Sequence, residues 1–145
     1  MLFTKTRDVK SPNRGTPDSA GIDFFIPNDY PETTVQPGSS VNIPSGIKVI
    51  LGSGTAGIFF NKSGVAVKGL MVGACVVDSD YRGEVHLNIH NVSKDPQIIK
   101  PGQKITQMLI INVELNNITE IDNNSYNLSS DTQRGSGGFG STGSF

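Results

Sequence analysis

Turn-forming residues divide the chain into short apolar runs, and this division constrains the fold more than any other feature of the sequence. The 145 residues include 17 glycines and 8 prolines. Sequences such as Pro37-Gly38, Gly52-Ser53-Gly54 and Pro101-Gly102 supply the fixed and positive φ values that chain reversals require. The runs between the turns are rich in Val, Ile and Phe and cover residues 2–6, 22–26, 41–43, 47–51, 57–60, 70–77, 84–91 and 105–115. The pattern predicts an all-β fold, a sandwich or jelly roll of about eight strands.

The predicted β-domain covers residues 1–115, which is long enough for one compact domain with a single core. Within residues 85–89, apolar and polar side chains alternate with the period of a strand that has one buried face. One short helix is expected to begin near Ser63, with the Ser63 hydroxyl as its cap, and no second helix is expected. Residues 116–133 are polar and rich in Asn and Ser, which indicates a linker. Residues 134–145 form a separate glycine-rich arm.

A formal net charge of −1 and a single cysteine exclude several classes of protein. General binding to nucleic acid needs a basic stripe that releases counterions, and this chain has no such excess of positive charge. Cys75 lies in an apolar run without a second cysteine or a His/Cys cluster, which argues against a disulfide framework and against structural zinc. Residues 1–5 lack the apolar stretch of a secretory signal. A cytoplasmic protein without a membrane or nucleic-acid partner is therefore expected.

The C-terminal arm combines Arg134, a flexible glycine run, Phe139 and the hydroxyls of Ser141 and Thr142. Glycines let backbone N–H groups converge on anionic oxygens, while an arginine forks onto a phosphate and an aromatic ring stacks on a base. A G-x-G-x-x-G spacing in the arm is not a dinucleotide-binding turn, because a helix cannot follow it so close to the chain end. The composition is equally typical of a disordered tail. These residues alone leave a phosphate-and-base clamp and a disordered tail both open.

Two aspartates, Asp78 and Asp80, directly follow an apolar run. A surface turn between two strands is one interpretation. A calcium loop of the EF-hand type is disfavoured, because a loop that began at Asp78 would place Arg82 at its fifth position and Ile89 where the bidentate Glu belongs. The other interpretation is general-base chemistry, with both carboxylates on one face of an extended segment.

Two further segments place cations beside polar groups. Lys62 and Ser63 put an ammonium and a hydroxyl at the expected helix start, which suits a phosphate oxygen but also a capped surface turn. In residues 103–108, strict alternation places Lys104 and Thr106 on one face and Gln107 on the other, as in any strand.

Five segments, taken in order, resemble the motifs of the trimeric dUTPase family, the deoxyuridine triphosphate nucleotidohydrolases. The segments are residues 18–24, 62–66, 73–83, 102–107 and 134–143. The resemblance implies a jelly-roll-like β-barrel of the β-clip type and a homotrimer, in which each active site is built from three subunits and closed by one arm. It also implies hydrolysis of dUTP to dUMP and pyrophosphate, with Mg²⁺ as cofactor. The family usually carries Arg where this chain has Lys62 and Lys104.

The resemblance also assigns roles to single residues. Asp78 would deprotonate the water that attacks the α-phosphorus, and Asp23 would support the Mg²⁺ region indirectly, through water. Tyr81 would lie against the deoxyribose, and Phe139 would cover the uracil ring, whose edge would pair with the backbone of residues 73–83. The other residues implied in substrate binding are Lys62, Ser63, Gly64, Gly73, Lys104, Gln107, Arg134, Gly140, Ser141 and Thr142.

Three other functions compete with hydrolysis of dUTP as explanations of these residues. A dCTP deaminase of the same fold would activate water against the cytosine ring, but it typically lacks a glycine-rich arm of this form. A non-catalytic sensor of dUTP would keep the same site, although binding alone does not need a base at Asp78. A structural jelly roll would explain the strands but not the combination of Asp78, Ser63 and Arg134. Hydrolysis of dUTP is therefore the expected function, and the deaminase and the sensor are the alternatives.

Overall fold

Antiparallel β-sheet is the main regular structure of the chain. The computed structural model describes residues 1–129 and 132–138, and its contacts divide the chain into one unit, Met1–Glu114, and a second that begins at Leu115. The elements are β1 (Leu2–Lys5), β2 (Ile22–Phe25), β3 (Thr33–Val35), β4 (Ser40–Ile50), β5 (Thr55–Asn61), α1 (Ser63–Ala66), β6 (Leu70–Gly73), β7 (Val76–Val77), β8 (Glu84–Asn91), β9 (Gln97–Ile99), β10 (Lys104–Asn112) and α2 (Asn123–Ser129). The predicted all-β, jelly-roll-like class is confirmed.

The strands form two four-stranded sheets and one two-stranded sheet. The first sheet has the order β1-β4-β8-β6, the second has the order β2-β10-β5-β7, and β3 pairs with β9. The alternation predicted for β8 is confirmed, since Val85, Leu87 and Ile89 are buried while His86 is exposed. Buried side chains from both large sheets form one core, and burying apolar area in this way is the main term that favours folding.

Two strand predictions at the Pro44-Ser45-Gly46 sequence were wrong. The runs 41–43 and 47–51 belong to one strand, β4, whose register with β8 shifts between Pro44 and Lys48. Gly46 adopts a φ of 73°, and its N–H donates to a Glu84 carboxylate oxygen at 2.6 Å. The turn-forming residues therefore produce an irregularity within a strand, where a chain reversal was expected. The three-residue strands β3 and β9 were not predicted, because so short a segment shows no clear alternation.

The expectation of a single helix was also wrong. α1 is present at Ser63–Ala66, but α2 lies within residues 116–133, where only a linker was expected. Asp122 accounts for α2, because its Oδ1 atom accepts hydrogen bonds from the backbone N–H groups of Asn124 and Ser125, as a helix cap does. None of the helices in the residues that the structure describes is long and apolar enough to span a membrane.

Candidate functional site

The connection between β6 and β7 opens a slot in the backbone. The run 70–77 was predicted as one strand, but the chain breaks at Ala74, which has a φ of +47°. β6 is the end strand of the first sheet, while β7 is the end strand of the second. Among the described residues, each strand therefore has one edge outside the sheet ladders. On β6 the Val72 N–H of this edge donates to Asn61 Oδ1, and the remaining backbone groups can pair with an added group.

Gly73 lies at the end of β6 against two polar side chains of β8. A Cβ atom on Gly73 would lie 2.7 Å from His90 Nε2 and 2.8 Å from Asn88 Oδ1. Those two atoms are themselves 2.6 Å apart. The close contact explains why a residue without a side chain is needed beside the slot.

A pocket of about 290 Å³ adjoins this slot. Asp78 and Tyr81 both line it, so the structure brings together two residues to which the resemblance gives catalytic and sugar-binding roles. The lining residues are Asn42, Ala74, Val76, Val77, Asp78, Tyr81, Val85 and His86. The predicted extended segment with Asp78 and Asp80 on one face is wrong, because the Tyr81 N–H donates to the Asp78 carbonyl at 3.2 Å and closes a turn.

Tyr81 is held at the pocket by its own hydroxyl. This hydroxyl donates to the Glu84 carbonyl oxygen at 2.8 Å. A Cβ atom on Gly83 would overlap the Tyr81 hydroxyl and ring. Glycine at this position therefore allows the phenol to lie against the backbone, while Tyr81 as a whole is 43% exposed.

A second cluster of site residues surrounds Asp23 on β2. Lys62 Nζ lies 2.5 Å from Asp23 Oδ1, and Lys104 Nζ lies 2.7 Å from Asp23 Oδ2. The Asp23 side chain is 5% exposed, while those of Lys62 and Lys104 are 26% and 41% exposed. Burial raises the pKa of Asp23, but the hydrogen bonds and charges of Lys104 and Lys62 outweigh it, so the pKa lies below its ordinary value. The cluster is therefore a charged carboxylate that holds two ammonium groups at the surface.

A β-bulge places Lys104 in this cluster, and it corrects the predicted alternation. In the register with β2, Lys104 lies opposite Phe25, Thr106 opposite Phe24 and Gln107 opposite Asp23. Two residues of β10 thus match one step of β2 between Lys104 and Thr106. Lys104 consequently shares a face with Gln107, whereas strict alternation would have put them on opposite faces.

Gln107 is fixed beside Asp23 by two contacts. Its Nε2 atom donates to the Asn61 carbonyl at 3.0 Å. A Cβ atom on Gly21 would overlap the Gln107 amide, so glycine at that position makes room for it. Asn61 was not predicted as a site residue, yet its Oδ1 atom accepts a hydrogen bond from the Val72 N–H of β6 at 2.6 Å. Asn61 thus connects the Asp23 cluster to the strand that borders the slot, and only the folded pairing reveals this link.

Ser63 does not cap α1, contrary to the prediction. The N-cap residue is Lys62, which has an extended backbone and makes no capping hydrogen bond with its side chain. Ser63 is exposed, as is its neighbour Gly64. Within the described part of the chain, the Ser63 hydroxyl has no hydrogen-bond partner, so it is available to a ligand beside Lys62.

The arm is described in part. In residues 132–138, Arg134 Nε donates to the Gly137 carbonyl at 2.9 Å, and the Gly135 N–H donates to the Thr132 carbonyl at 3.0 Å. Phe139, Gly140, Ser141 and Thr142 lie outside the described residues.

The donor set does not include a cage for a metal ion. In residues 1–129 and 132–138, no group of three or more His, Cys, Asp or Glu side chains is placed to hold one. Both carboxylate oxygens of Asp23 already accept from lysines. Asp23 is therefore better suited to contact a metal ion through a water molecule than to coordinate it directly.

The ion pairs of Asp23 lead to a testable pH dependence. We expect Asp23→Asn to lower the free energy of unfolding at pH 7 by about 1–3 kcal/mol, because two partly exposed ammonium groups lose their partner. The folded-state pKa of Asp23 is below its ordinary value of 3.8, so this stabilisation is fully present above 3.8 and is lost as the pH falls through the lower folded pKa. Urea unfolding of both proteins should show a smaller difference at about pH 3 than at pH 7. An equal difference at both pH values would mean that the charge of Asp23 contributes nothing.

Comparisons with known proteins agree on one family. A family model described as dUTPase matches residues 7–143. The deoxyuridine 5′-triphosphate nucleotidohydrolase of Desulfitobacterium hafniense (strain DSM 10664 / DCB-2) is 38% identical over 143 residues, which cover 96% of this chain and 91% of that protein. The structure of Staphylococcus bacteriophage 80alpha dUTPase with dUpNHpp matches with a TM-score of 0.82 at 20% identity, covering 98% of this chain and 97% of that one. The dUTPase of phage phi11 of S. aureus, described as coordinating a structural Mg(II) ion, matches with a TM-score of 0.75 at 19% identity over 83% of this chain and 95% of that one.

Proposed function

The chain belongs to the dUTPase family, and we propose that it is a dUTP diphosphatase in which Asp78 activates the water that cleaves dUTP into dUMP and pyrophosphate. The observation that carries the mechanism is the position of Asp78 in the pocket beside the open slot of β6 and β7, together with Tyr81. We expect the protein to act in the cytoplasm, without a membrane or nucleic-acid partner.

In the proposed reaction, Asp78 accepts a proton from a water molecule as the water oxygen attacks the α-phosphorus. The bond from the α-phosphorus to the α–β bridging oxygen breaks, and pyrophosphate leaves. Ser63 donates to that bridging oxygen, while Lys62 and Lys104 stabilise the negative charge of the phosphates. Gln107, which lies beside Asp23, binds a phosphate oxygen or the attacking water.

Mg²⁺ is proposed as the cofactor, and Asp23 is the residue that would support it. When bound, it neutralises phosphate charge and favours in-line geometry. Because its carboxylate oxygens are paired with lysines, Asp23 would face this ion through water.

Selection of the nucleoside is proposed to occur at the slot and in the adjacent pocket. The open backbone edges beside Gly73 and Ala74 would pair with the edge of uracil, so that the amino group of cytosine and the methyl group of thymine do not fit. Tyr81 would lie against the deoxyribose and exclude a 2′-hydroxyl by contact. The arm would then close the site, with Phe139 over uracil and Arg134 on the γ-phosphate. Gly140, Ser141 and Thr142 of the arm would bind the phosphates as well.

We propose that each site is shared between chains of a trimer, as the resemblance implies, and the separation of Asp78 from Ser63 along β5 is consistent with this. Asp78 follows Val77, which pairs with Gly57 near the start of β5, whereas Ser63 follows the end of that strand at Asn61. At about 3.3 Å per residue, β5 separates these points by roughly 13 Å. The α-phosphorus and the bridging oxygen are bonded to each other, so a site in which one chain supplies Asp78 and another supplies Ser63 would bring both residues to the reacting bond.

Exposed apolar side chains support self-association. Leu2 in β1 and Ile50 in β4 are 70% and 49% exposed in the single chain. In the second unit, Ile118 and Leu128 are almost fully exposed. Leu2 and Ile50 lie opposite each other in adjacent strands, and such an exposed apolar pair indicates a surface that a further copy of the chain would cover.

Mixed trimers test the shared site. We expect Asp78→Asn and Ser63→Ala to be weakly active on their own. After the two are unfolded together and reassembled in equal amounts, about one quarter of the sites should contain both native residues, if these come from different chains of a symmetric trimer. Pyrophosphate release from dUTP should therefore recover to about a quarter of the wild-type value. Reassembly of wild type alone controls for refolding yield, and an activity no higher than the mean of the two variants would place both residues in the same chain.

A further inference from the structure

A third lysine lies beside the Asp23 cluster. Lys10 Nζ is 4.7 Å from the ring centroid of Phe25, and Lys104 Nζ is 5.8 Å from the same centroid. Phe25 comes two residues after Asp23 on β2, so both side chains project from the same face of the strand. The segment that carries Lys10 runs beside β2, where the Asp23 N–H donates to the Asn13 carbonyl at 2.7 Å. Two ammonium groups thus lie near the Phe25 ring, and one of them, that of Lys104, also pairs with Asp23.

The charges of this group do not balance. Lys62 and Lys104 share the carboxylate of Asp23, which leaves the cluster with excess positive charge. Lys10 forms no ion pair with any residue that the structure describes, and the face of Phe25 is its partner. An exposed cation–π contact is weak, about 0.5–1 kcal/mol, so an anion competes with it easily.

We propose that Lys10 is a further substrate-binding residue, which contacts the pyrophosphate portion of the triphosphate, formed by the β- and γ-phosphates. The inference rests on the proposed function, because it places the phosphates at Lys62 and Lys104. In the proposed reaction, Lys10 takes no part in the proton transfer at Asp78. Its contact is with the β- and γ-phosphates and not with the bond that breaks, so we expect it to contribute mainly to binding and to alter KM more than kcat.

The test replaces Lys10 with methionine, which removes the charge but keeps an unbranched stem over Phe25. Lys94→Met, in the exposed loop between β8 and β9, is the matched control for loss of one positive charge. For Lys10→Met, we expect KM for dUTP to rise about fivefold with kcat within about twofold of wild type. The dissociation constant of inorganic tripolyphosphate, measured by calorimetry, should rise by a similar factor, while that of dUMP should stay the same because dUMP lacks the β- and γ-phosphates.

Lys10→Arg is the rescue variant, because it restores the positive charge at this position. If Lys10→Met weakened binding only by disturbing the packing, restoring the charge would not be needed for recovery. We expect it to bind tripolyphosphate within about twofold of wild type. Equal tripolyphosphate affinities for Lys10→Met and Lys94→Met would overturn the assignment, even if wild type hydrolyses dUTP. A weakening of dUMP binding equal to that of tripolyphosphate would also overturn it. If wild type instead fails to hydrolyse dUTP, the proposed function fails, whereas the tripolyphosphate comparison still decides whether Lys10 binds phosphate.

Discussion

Asp78→Asn is expected to lower the turnover of dUTP by about two decades or more, while the enzyme still binds the nucleotide. The amide keeps the size and shape of the carboxylate but cannot accept the proton of the attacking water. Asp78 is exposed at the pocket and follows β7, so its replacement removes no buried contact. Steady-state release of pyrophosphate gives the turnover, and calorimetry with a non-hydrolysable analogue of dUTP gives the affinity.

Asp80→Asn is the matched control, because it makes the same change of charge in the same turn. We expect this variant to retain turnover within a few-fold of wild type, since Asp80 is not among the residues that line the pocket. Near-full activity of Asp78→Asn would remove Asp78 from the mechanism. Equal losses in both variants would point to the charge of the turn as a whole and not to a base at Asp78.

Removal of residues 134–145 is expected to cost about two decades of turnover and to leave the proposed trimer intact. The deletion removes Arg134 and the arm residues proposed to contact the phosphates and uracil. Charge-assisted hydrogen bonds to phosphate contribute about 1.5–3 kcal/mol each, so the loss of two such bonds accounts for an effect of this size. Pyrophosphate release gives the turnover, and light scattering coupled to gel filtration gives the mass of the particle.

The intermediate variant Arg134→Ala separates the charge from the rest of the arm. We expect it to lose turnover, but less than the full deletion, because Phe139 is still present to cover uracil. A truncated protein that runs as a monomer would show that the arm holds subunits together. Full activity of the truncated protein would contradict the proposed closure of the site.

The sequence predicted the all-β class because its signals are local. Alternation in β8 and the turn residues between strands depend on neighbours within a few positions. The predictions were wrong where the same local signal led to a different structure in the folded chain from the one expected. Gly46 marks a bend inside β4, and Asp122 caps a helix in a segment whose composition resembles a linker. Both residues could be recognised in the sequence as turn or cap formers. The structure that each one produces depends on strand pairing or on capping hydrogen bonds, which composition does not reveal.

The candidate site residues were predicted from the resemblance of their motifs to a family. The positions of their side chains could be seen only in the folded structure. The bulge between Lys104 and Thr106 decides which face of the strand Lys104 occupies, and no pattern in the sequence predicts this bulge. The positive φ of Ala74 separates β6 from β7, although alanine is not a residue that signals such a conformation. Asn61 and Lys10 were missed for a related reason, because their contacts with Val72 and Phe25 join segments that are distant in sequence or separated by a turn.

The most direct test of the central claim is the release of pyrophosphate from dUTP, dTTP, dCTP and UTP by the full chain in the presence of magnesium, with ammonia measured in the same samples. The proposed mechanism predicts pyrophosphate from dUTP and little from the other three, because the slot selects uracil and Tyr81 excludes the 2′-hydroxyl. Ammonia from dCTP would instead establish a deaminase. Tight binding of dUTP without release of pyrophosphate would contradict catalysis at Asp78 and leave a protein that senses the nucleotide.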